Sequence, residues 1–135
     1  MKFCEIDKNL NPVMILRFTG NEPTDENFQE YLDDYLVLLK EQKKISVVCD
    51  ARLSNFLPVR YRIKQGKFLK KHDQLLRERV SGSAFVFKSI IIRFMINAIF
   101  AIKKPSFPYY LTGDMDDAVS WARAQLEESS EVKNV

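Results

Sequence analysis

The chain has 135 residues, which is room for one domain with its own hydrophobic core. Hydrophobic residues make up 46% and charged residues 29%, with four Gly and five Pro, so a disordered, collagen-like or linker-dominated chain is excluded. The net charge of +3 conceals a basic middle, since residues 51–104 carry thirteen Lys and Arg against two acids. This asymmetry indicates either an anionic partner or two solvated surfaces that attract each other.

The N-terminal residues and the cysteines indicate the cellular environment. The chain begins without the basic start, apolar stretch and cleavage site of a secretory signal, so we expect a cytoplasmic protein. Cys4 and Cys49 lie in apolar, strand-like segments, where a cysteine is usually a small buried hydrophobe. Because the cysteines are far apart and the chain has one histidine, we expect neither a zinc site nor a cofactor.

The first part of the chain predicts a hairpin, a helix and a buried strand. Residues 2–7 and 13–19 are short apolar-rich segments separated by Asn and Pro, which predicts an antiparallel β-hairpin. Thr24 is a good N-cap, and the apolar residues that follow it at intervals of three and four run to Leu39, as in an amphipathic helix. Residues 45–49 are β-branched and apolar, as in a strand buried on both faces.

A long helix and a second buried strand follow. Pro58 fits the first turn of a helix that extends to about Val80, and Gly66 inside this helix indicates close packing. Residues 81–83 (Ser-Gly-Ser) favour a turn, and residues 84–87 favour a short buried strand.

The last part of the chain adds two helices and a strand. Residues 90–102 predict a very apolar helix that spans roughly 20 Å, which is too short to cross a membrane. Residues 107–111 predict the last strand, and a closing helix follows Gly113. We therefore predict one domain over residues 1–128 and a flexible tail over residues 129–135.

The predicted order ββαβαβαβα is typical of a single α/β domain. Strands that alternate with helices require crossover connections, so the five-stranded sheet should be mostly parallel. The N-terminal hairpin should supply an antiparallel edge, and four helices should flank the sheet.

Four segments carry a resemblance to a known family. They are VVCDARL at 47–53, KKHDQLLRERVSGSAFVFKS at 70–89, IIIRFMINAIF at 90–100 and FPYYLTGDMDDAVSWARAQL at 107–126. In this order and spacing they resemble bacterial STAS/SEC14-type domains with the fold of the sporulation anti-anti-sigma factor, the SpoIIAA-like fold. The resemblance implies an interaction module that binds a protein partner or a small ligand and is not an enzyme.

The resemblance does not include the phosphorylation site of that family. Anti-anti-sigma factors carry a phosphorylatable serine in an Asp-Ser-Ser-Gly-like motif at the start of the helix after this strand, and residues 53–60 lack that motif. Ser54 comes too early in the segment, so we interpret it as a loop or capping residue. The resemblance therefore does not imply that this chain is regulated by phosphorylation.

The carboxyl ends of the parallel strands are the usual ligand site of an open α/β sheet. Basic side chains beside helix N-termini can hold a phosphate or a carboxylate there. The candidates for such an anion site are Asp50, Arg52, Lys88, Ser89 and Thr112. Alternatively, Asp50 pairs with Arg52 or caps a helix and has a structural role only.

No catalytic signature accompanies the sole histidine. His72 lies on the apolar face of the predicted long helix, where a packed, neutral imidazole is common, and no general acid–base partner can be placed. The chain also lacks a nucleophile elbow, a phosphate loop and paired carboxylates, so we expect no enzymatic activity.

Two helical surfaces are candidates for docking a partner. The basic stripe lacks interleaved aromatic residues, so we expect a solvated or protein-facing surface and no nucleic acid; its members are Arg60, Lys64, Lys67 and Lys71. The helix at 90–102 is apolar around more than half of its circumference, and its outward positions are interpreted as Ile92, Met95 and Ile99. A homodimer partner, another protein, an apolar ligand or a membrane can cover them, unless the helix is entirely core.

The sequence thus favours a non-catalytic module that binds a regulatory protein. The alternative function is binding of a small anionic or lipid-like ligand at the strand ends, or contact with a membrane through the apolar helix.

Overall fold

A five-stranded sheet forms the centre of the protein in a computed structural model, which describes residues 1–133 and only the backbone of residues 130–133. The predicted hairpin consists of the antiparallel strands β1 (Cys4–Leu10) and β2 (Val13–Phe18). Strands β3 (Ile45–Asp50), β4 (Val80–Val86) and β5 (Tyr109–Thr112) follow, each parallel to its predecessor. The sheet order is β1-β2-β3-β4-β5, which confirms the mostly parallel sheet with an antiparallel edge.

Five helices surround the sheet in the described residues, whereas we predicted four. They are α1 (Asp25–Glu41), α2 (Val59–Lys71), α3 (Asp73–Arg79), α4 (Ile90–Ile102) and α5 (Met115–Lys133). The prediction of one long helix over 58–80 is wrong, because the helix is interrupted at His72 and continues as a second helix. The carboxylate of Asp73 binds Arg77, Ser106 and Lys103, the last at 3.3 Å. Two of these partners are distant in sequence, so helical periodicity does not reveal the break.

Strand β4 begins four residues earlier than predicted, because the segment Ser81-Gly82-Ser83 is strand and not turn. Gly82 permits α5 to lie close to the sheet at this point. A Cβ atom on Gly82 would lie 2.8 Å from Cγ of Gln125 and 2.9 Å from Cη2 of Trp121. The glycine that indicated a turn is therefore a packing residue of the sheet.

Helix α5 continues beyond residue 128, to Lys133, so the predicted tail begins within it. The last two residues of that tail lie outside the described part of the chain.

The two faces of the sheet have different covers, because side chains alternate between the faces along each strand. Helix α5 covers one face through Ala118 and Ala122, which pack on a cluster of small apolar side chains: Val13, Ile15, Val48, Ala84 and Val86. Helices α1, α2 and α3 cover the opposite face with larger apolar side chains. Helix α4 packs along α2 and over residues at the carboxyl ends of the strands, including Ala51, Phe85 and Leu111.

Candidate functional site

An apolar cavity of about 140 Å³ lies between the sheet and the helices α1, α2 and α4. The sheet contributes Phe18, Cys49, Ser83 and Phe85 to its lining. Helix α1 contributes three aromatic side chains: Phe28, Tyr31 and Tyr35. Helix α4 contributes the inner half of its apolar surface: Ile92, Met95, Ile96, Ile99 and Phe100. The cavity's lining residues extend along the chain from Phe3 to Phe107.

Small side chains in the sheet leave this space open. Cys49 and Ser83 lie on neighbouring strands, with 3.9 Å between the sulfur and the hydroxyl oxygen, and both line the cavity. Protein interiors are normally packed to the density of organic crystals. Space left unfilled beside a sheet loses the packing contacts that neighbouring side chains would otherwise make. We did not predict Cys49 or Ser83 as site residues; small polar side chains in otherwise apolar strands were the available signal.

The polar groups in the cavity are neutral. Among the described residues, no charged side chain lines it. The Tyr31 hydroxyl donates a 2.6 Å hydrogen bond to Oε1 of Gln65, and burial raises the pKa of Tyr31 well above its usual range. Burial also raises the pKa of the Cys49 thiol to about 12, so the thiol remains protonated at physiological pH. The interior thus suits an uncharged, mainly apolar group.

The loop between β3 and α2 lies at the opening of the cavity. Asn55 and Phe56 line the cavity and are exposed, with 61% of Phe56 accessible. The backbone N–H of Leu57 donates to Sδ of Met95 at 2.8 Å, and Nδ2 of Asn55 donates to the Gly20 carbonyl at 2.8 Å. These contacts join the loop to α4 on one side and to the segment after β2 on the other.

The predicted anion site consists of residues whose polar groups are largely engaged within the chain. Nε and Nη2 of Arg52 each donate to the Asp50 carboxylate at 2.9 Å, and Arg17 lies 3.7 Å from the same carboxylate. Burial alone would raise the pKa of Asp50, but the bonds from Arg52 and the charges of Arg52 and Arg17 outweigh burial and lower the pKa. Of the two roles considered for Asp50, the structure therefore contains the pairing with Arg52.

The other anion-site candidates lie on separate local structures. Ser89 caps α4, since its hydroxyl accepts from the N–H of Ile91 at 3.2 Å. The Thr112 hydroxyl donates to Asp117 at 3.1 Å. Lys88 is exposed and forms no ion pair with any described residue. Most of these candidates thus have hydrogen-bond partners within the chain, and the anion site stays a prediction.

Helix α4 has the opposite phase from the one predicted. Ile92 and Met95 are buried, at 5% and 6% exposure, and Ile99 is half-buried against the core, so their placement as outward docking positions is wrong. Nearly every residue of α4 is apolar, so the sequence pattern does not distinguish its inner side from its outer side. The alternative of an entirely buried helix is excluded, because Ile90 and Phe94 are 69% and 67% exposed.

The basic stripe lies on the outer side of α2. Arg60, Lys67 and Lys71 are exposed, whereas Lys64 is half-buried with its ammonium 6.0 Å from the centre of the Tyr61 ring. Arg60 is 3.9 Å from the Asp25 carboxylate. Most of the stripe is therefore available to a partner.

His72 lies at the junction of α2 and α3, with its ring 4.7 Å from the Phe68 ring. Burial and the positive charges of Lys71 and Lys40 lower its pKa. The imidazole is therefore packed and neutral at physiological pH. Ser54 lies in the β3–α2 loop and lines the cavity.

Metal clusters and membrane-spanning helices are both absent from the described residues. No group of three or more His, Cys, Asp or Glu side chains there is arranged to hold a metal ion. Over residues 1–133, no helix combines the length and apolar character that crossing a membrane requires.

Comparison with known proteins identifies the fold. Neither a protein-family model nor a curated protein matches the sequence. A crystal structure of an uncharacterized DUF3478 family protein from Shewanella loihica PV-4, described as having a SpoIIAA-like fold, superposes with a TM-score of 0.65. The match covers 88% of this chain and 91% of that chain at 14% sequence identity, which establishes a shared fold and no shared function. This chain thus has the SpoIIAA-like fold.

Proposed function

We propose that the domain binds a small apolar molecule, or the hydrocarbon end of an amphipathic one, in the cavity beneath α4. The observation that carries this proposal is the volume of about 140 Å³ enclosed by uncharged side chains. An engineered cavity of about 150 Å³ lined by Leu, Ile and Phe in another protein holds benzene. A ring or a chain segment of about six to eight carbon atoms is therefore the expected occupant.

The lining supports binding rather than catalysis. General acid–base chemistry requires a group whose pKa lies near the working pH. The Cys49 thiol has a pKa of about 12, and the pKa of Tyr31 is also raised by burial, so neither group exchanges protons readily at neutral pH. Both hydroxyl and thiol are suited to weak orienting contacts with a ligand.

The distribution of polar groups supports one orientation of the ligand. Buried aromatic, aliphatic and small neutral side chains line the interior, whereas the amides of Asn21 and Asn55 lie on more accessible segments. A hydrocarbon end near Cys49 and Ser83, with a polar end at the loop, matches this distribution. A fatty acid of medium length is a ligand of this kind, which agrees with the lipid-like alternative from the sequence. The regulatory protein partner stays a prediction.

Binding of straight-chain fatty acids provides the test. We expect acids of about six to twelve carbon atoms to raise the melting temperature, because a ligand that binds only the folded state stabilises it. In Ser83→Leu the new side chain occupies the cavity, so calorimetry should show at least tenfold weaker binding by a folded protein. Ser46→Ala is the matched control, since Ser46 is buried on the adjacent strand but does not line the cavity.

Two results would contradict the proposal. One is the absence of any thermal shift across the whole acid series for the unmodified protein. The other is equal affinity in folded Ser83→Leu and in the unmodified protein, which would place the ligand elsewhere.

A further inference from the structure

We propose that the exposed apolar surface formed by α2 and α4 docks the protein on an anionic lipid bilayer. This surface, called here the α2–α4 surface, consists of six large exposed side chains: Phe56, Val59, Ile63, Ile90, Ile91 and Phe94. The inference goes beyond ligand binding and does not depend on what occupies the cavity.

The two helices present these side chains next to each other. Near the start of α2, the Leu57 N–H contacts Met95, and farther along, a Cβ atom on Gly66 would lie 2.7 Å from Ile102. The helices therefore lie side by side and run in the same general direction. Val59 precedes Gly66 by seven residues, which is about two helical turns, so both lie on the side of α2 that meets α4.

The outer residues of α4 lie on the matching side of that helix. Ile91 precedes Ile102 by eleven residues, close to three full turns, so Ile91 also lies on the side toward α2. Phe94 lies one turn after Ile91 and is 67% exposed. Val59, Ile91 and Phe94 thus lie along the line where the two helices meet and form an apolar patch there. Soluble monomers seldom leave such a patch uncovered.

Basic side chains border the patch. Arg60, Lys67 and Lys71 follow the far side of α2, Arg93 lies on the far side of α4, and Lys88 precedes α4. Residues 51–104 contain thirteen basic side chains and only two acids, and both acids lie in α3. The surface therefore combines apolar protrusions with a mainly positive border, in which Arg60 lies 3.9 Å from the Asp25 carboxylate.

This charge pattern decides between the available partners. In a symmetric dimer through this patch, the basic border of one copy would face the basic border of the other, which is repulsive. An anionic bilayer offers negative headgroups to the border and hydrocarbon to the apolar side chains. With thirteen residues, α4 has the length to lie on the bilayer surface.

The position of the cavity is consistent with this orientation. Phe56 belongs to the α2–α4 surface and also lines the cavity near its opening. A docked domain would hold that opening against the bilayer, so an apolar molecule would pass between membrane and cavity without crossing water.

Vesicle co-sedimentation tests the proposal. We expect the protein to bind phosphatidylcholine vesicles that contain about 30% phosphatidylserine at least tenfold more tightly than pure phosphatidylcholine vesicles. Raising the salt from about 0.05 M to about 0.5 M should weaken this binding, since salt screens exposed charges. Phe94→Glu should reduce binding to the anionic vesicles at least tenfold.

A matched variant controls for the added charge. Val37 is an exposed apolar residue of α1, beside the acidic residues Asp34 and Glu41, and Val37→Glu should bind anionic vesicles like the unmodified protein. Phe94→Glu should keep its melting temperature and its fatty-acid thermal shift, which separates loss of docking from loss of the cavity.

Three outcomes would overturn the proposal. The first is no binding of the unmodified protein to anionic vesicles. The second is equal vesicle binding by Phe94→Glu. The third is a dimer in light scattering that Phe94→Glu converts to a monomer, which would assign the patch to a second copy of the chain.

Discussion

One buried carboxylate, that of Asp50, lies where the central strand β3 meets the loop beside the cavity. Asp50 is almost fully buried at the end of β3, and Arg17 and Arg52 balance its charge. Such a group stabilises the fold only while its partners remain, because an unpaired buried charge is costly. The ion pairs of Asp50 thus hold in place the residue from which the β3–α2 loop begins.

Removing Arg52 should expose this dependence. We expect Arg52→Ala to lower the free energy of unfolding by about 1–3 kcal/mol at pH 7, since Arg17 compensates only partly. Arg52 lowers the pKa of Asp50 in the folded state, so the stabilisation is present above the unfolded pKa of about 3.9 and is lost as pH falls through the folded value. The difference between variant and parent, measured by urea unfolding, should therefore shrink below about pH 4.

Arg93→Ala is the control, because Arg93 is exposed and has no ion pair among the described residues. It should change stability by less than about 0.5 kcal/mol. A deficit in Arg52→Ala that stays constant from neutral to acid pH would contradict the assigned role.

At the scale of elements, local patterns in the sequence predicted most of the architecture. The Thr24 cap, confirmed as a capping box with Asn27, and the β-branched strand at 45–49 are examples in which neighbouring residues decide the structure. The break at His72 and the strand through Gly82 depend on contacts with Ser106, Lys103 and helix α5, which are distant in sequence. Local periodicity does not contain that information.

The contact between α2 and α4 depends on one glycine. In an isolated helix, replacing glycine by alanine stabilises by about 1 kcal/mol. In Gly66→Ala, the new methyl group would lie 2.7 Å from Cβ of Ile102, so we expect a net loss of about 1–3 kcal/mol in urea unfolding. Adding Ile102→Ala should recover part of that loss, because it removes Cγ2 and Cδ1, which would lie 2.7 and 2.9 Å from the new methyl group, while Cβ stays in place. A double variant whose losses simply add would show that the two side chains do not interact.

At the scale of the whole molecule, the two faces of the sheet are packed differently. Ser83 faces the cavity, whereas Ser46 faces the closely packed layer under α5. Ser83→Leu should therefore leave stability unchanged or raise it by up to about 2 kcal/mol, because it fills a void. Ser46→Leu should lower stability by about 1–3 kcal/mol through overpacking. Thermal unfolding of both variants without ligand checks this difference, and equal losses would mean that the cavity is not a true void.

The candidate site was less predictable than the fold, because it depends on residues that are distant from one another in sequence. A cavity forms where the side chains of several elements together are too small to fill the space between them. No single segment of the sequence shows this. Cys49 and Ser83 lie on different strands, and Tyr31 and Met95 lie on different helices. The apolar character of α4 indicated that something must cover it, but only the three-dimensional structure shows which side meets the cavity and which meets solvent.

One face of the sheet is covered by the C-terminal helix α5, and this has a consequence for folding during synthesis. Strands β1 to β4 and helices α1 to α4 can assemble as they leave the ribosome, because each strand pairs with its predecessor in the chain. The face formed by Val13, Ile15, Val48 and Val86 stays bare until α5 has been synthesised. A nascent chain stalled before Met115 would therefore display a flat, apolar β-surface, which is prone to aggregation. Translation speed across the codons for α5 is thus expected to affect the yield of folded protein.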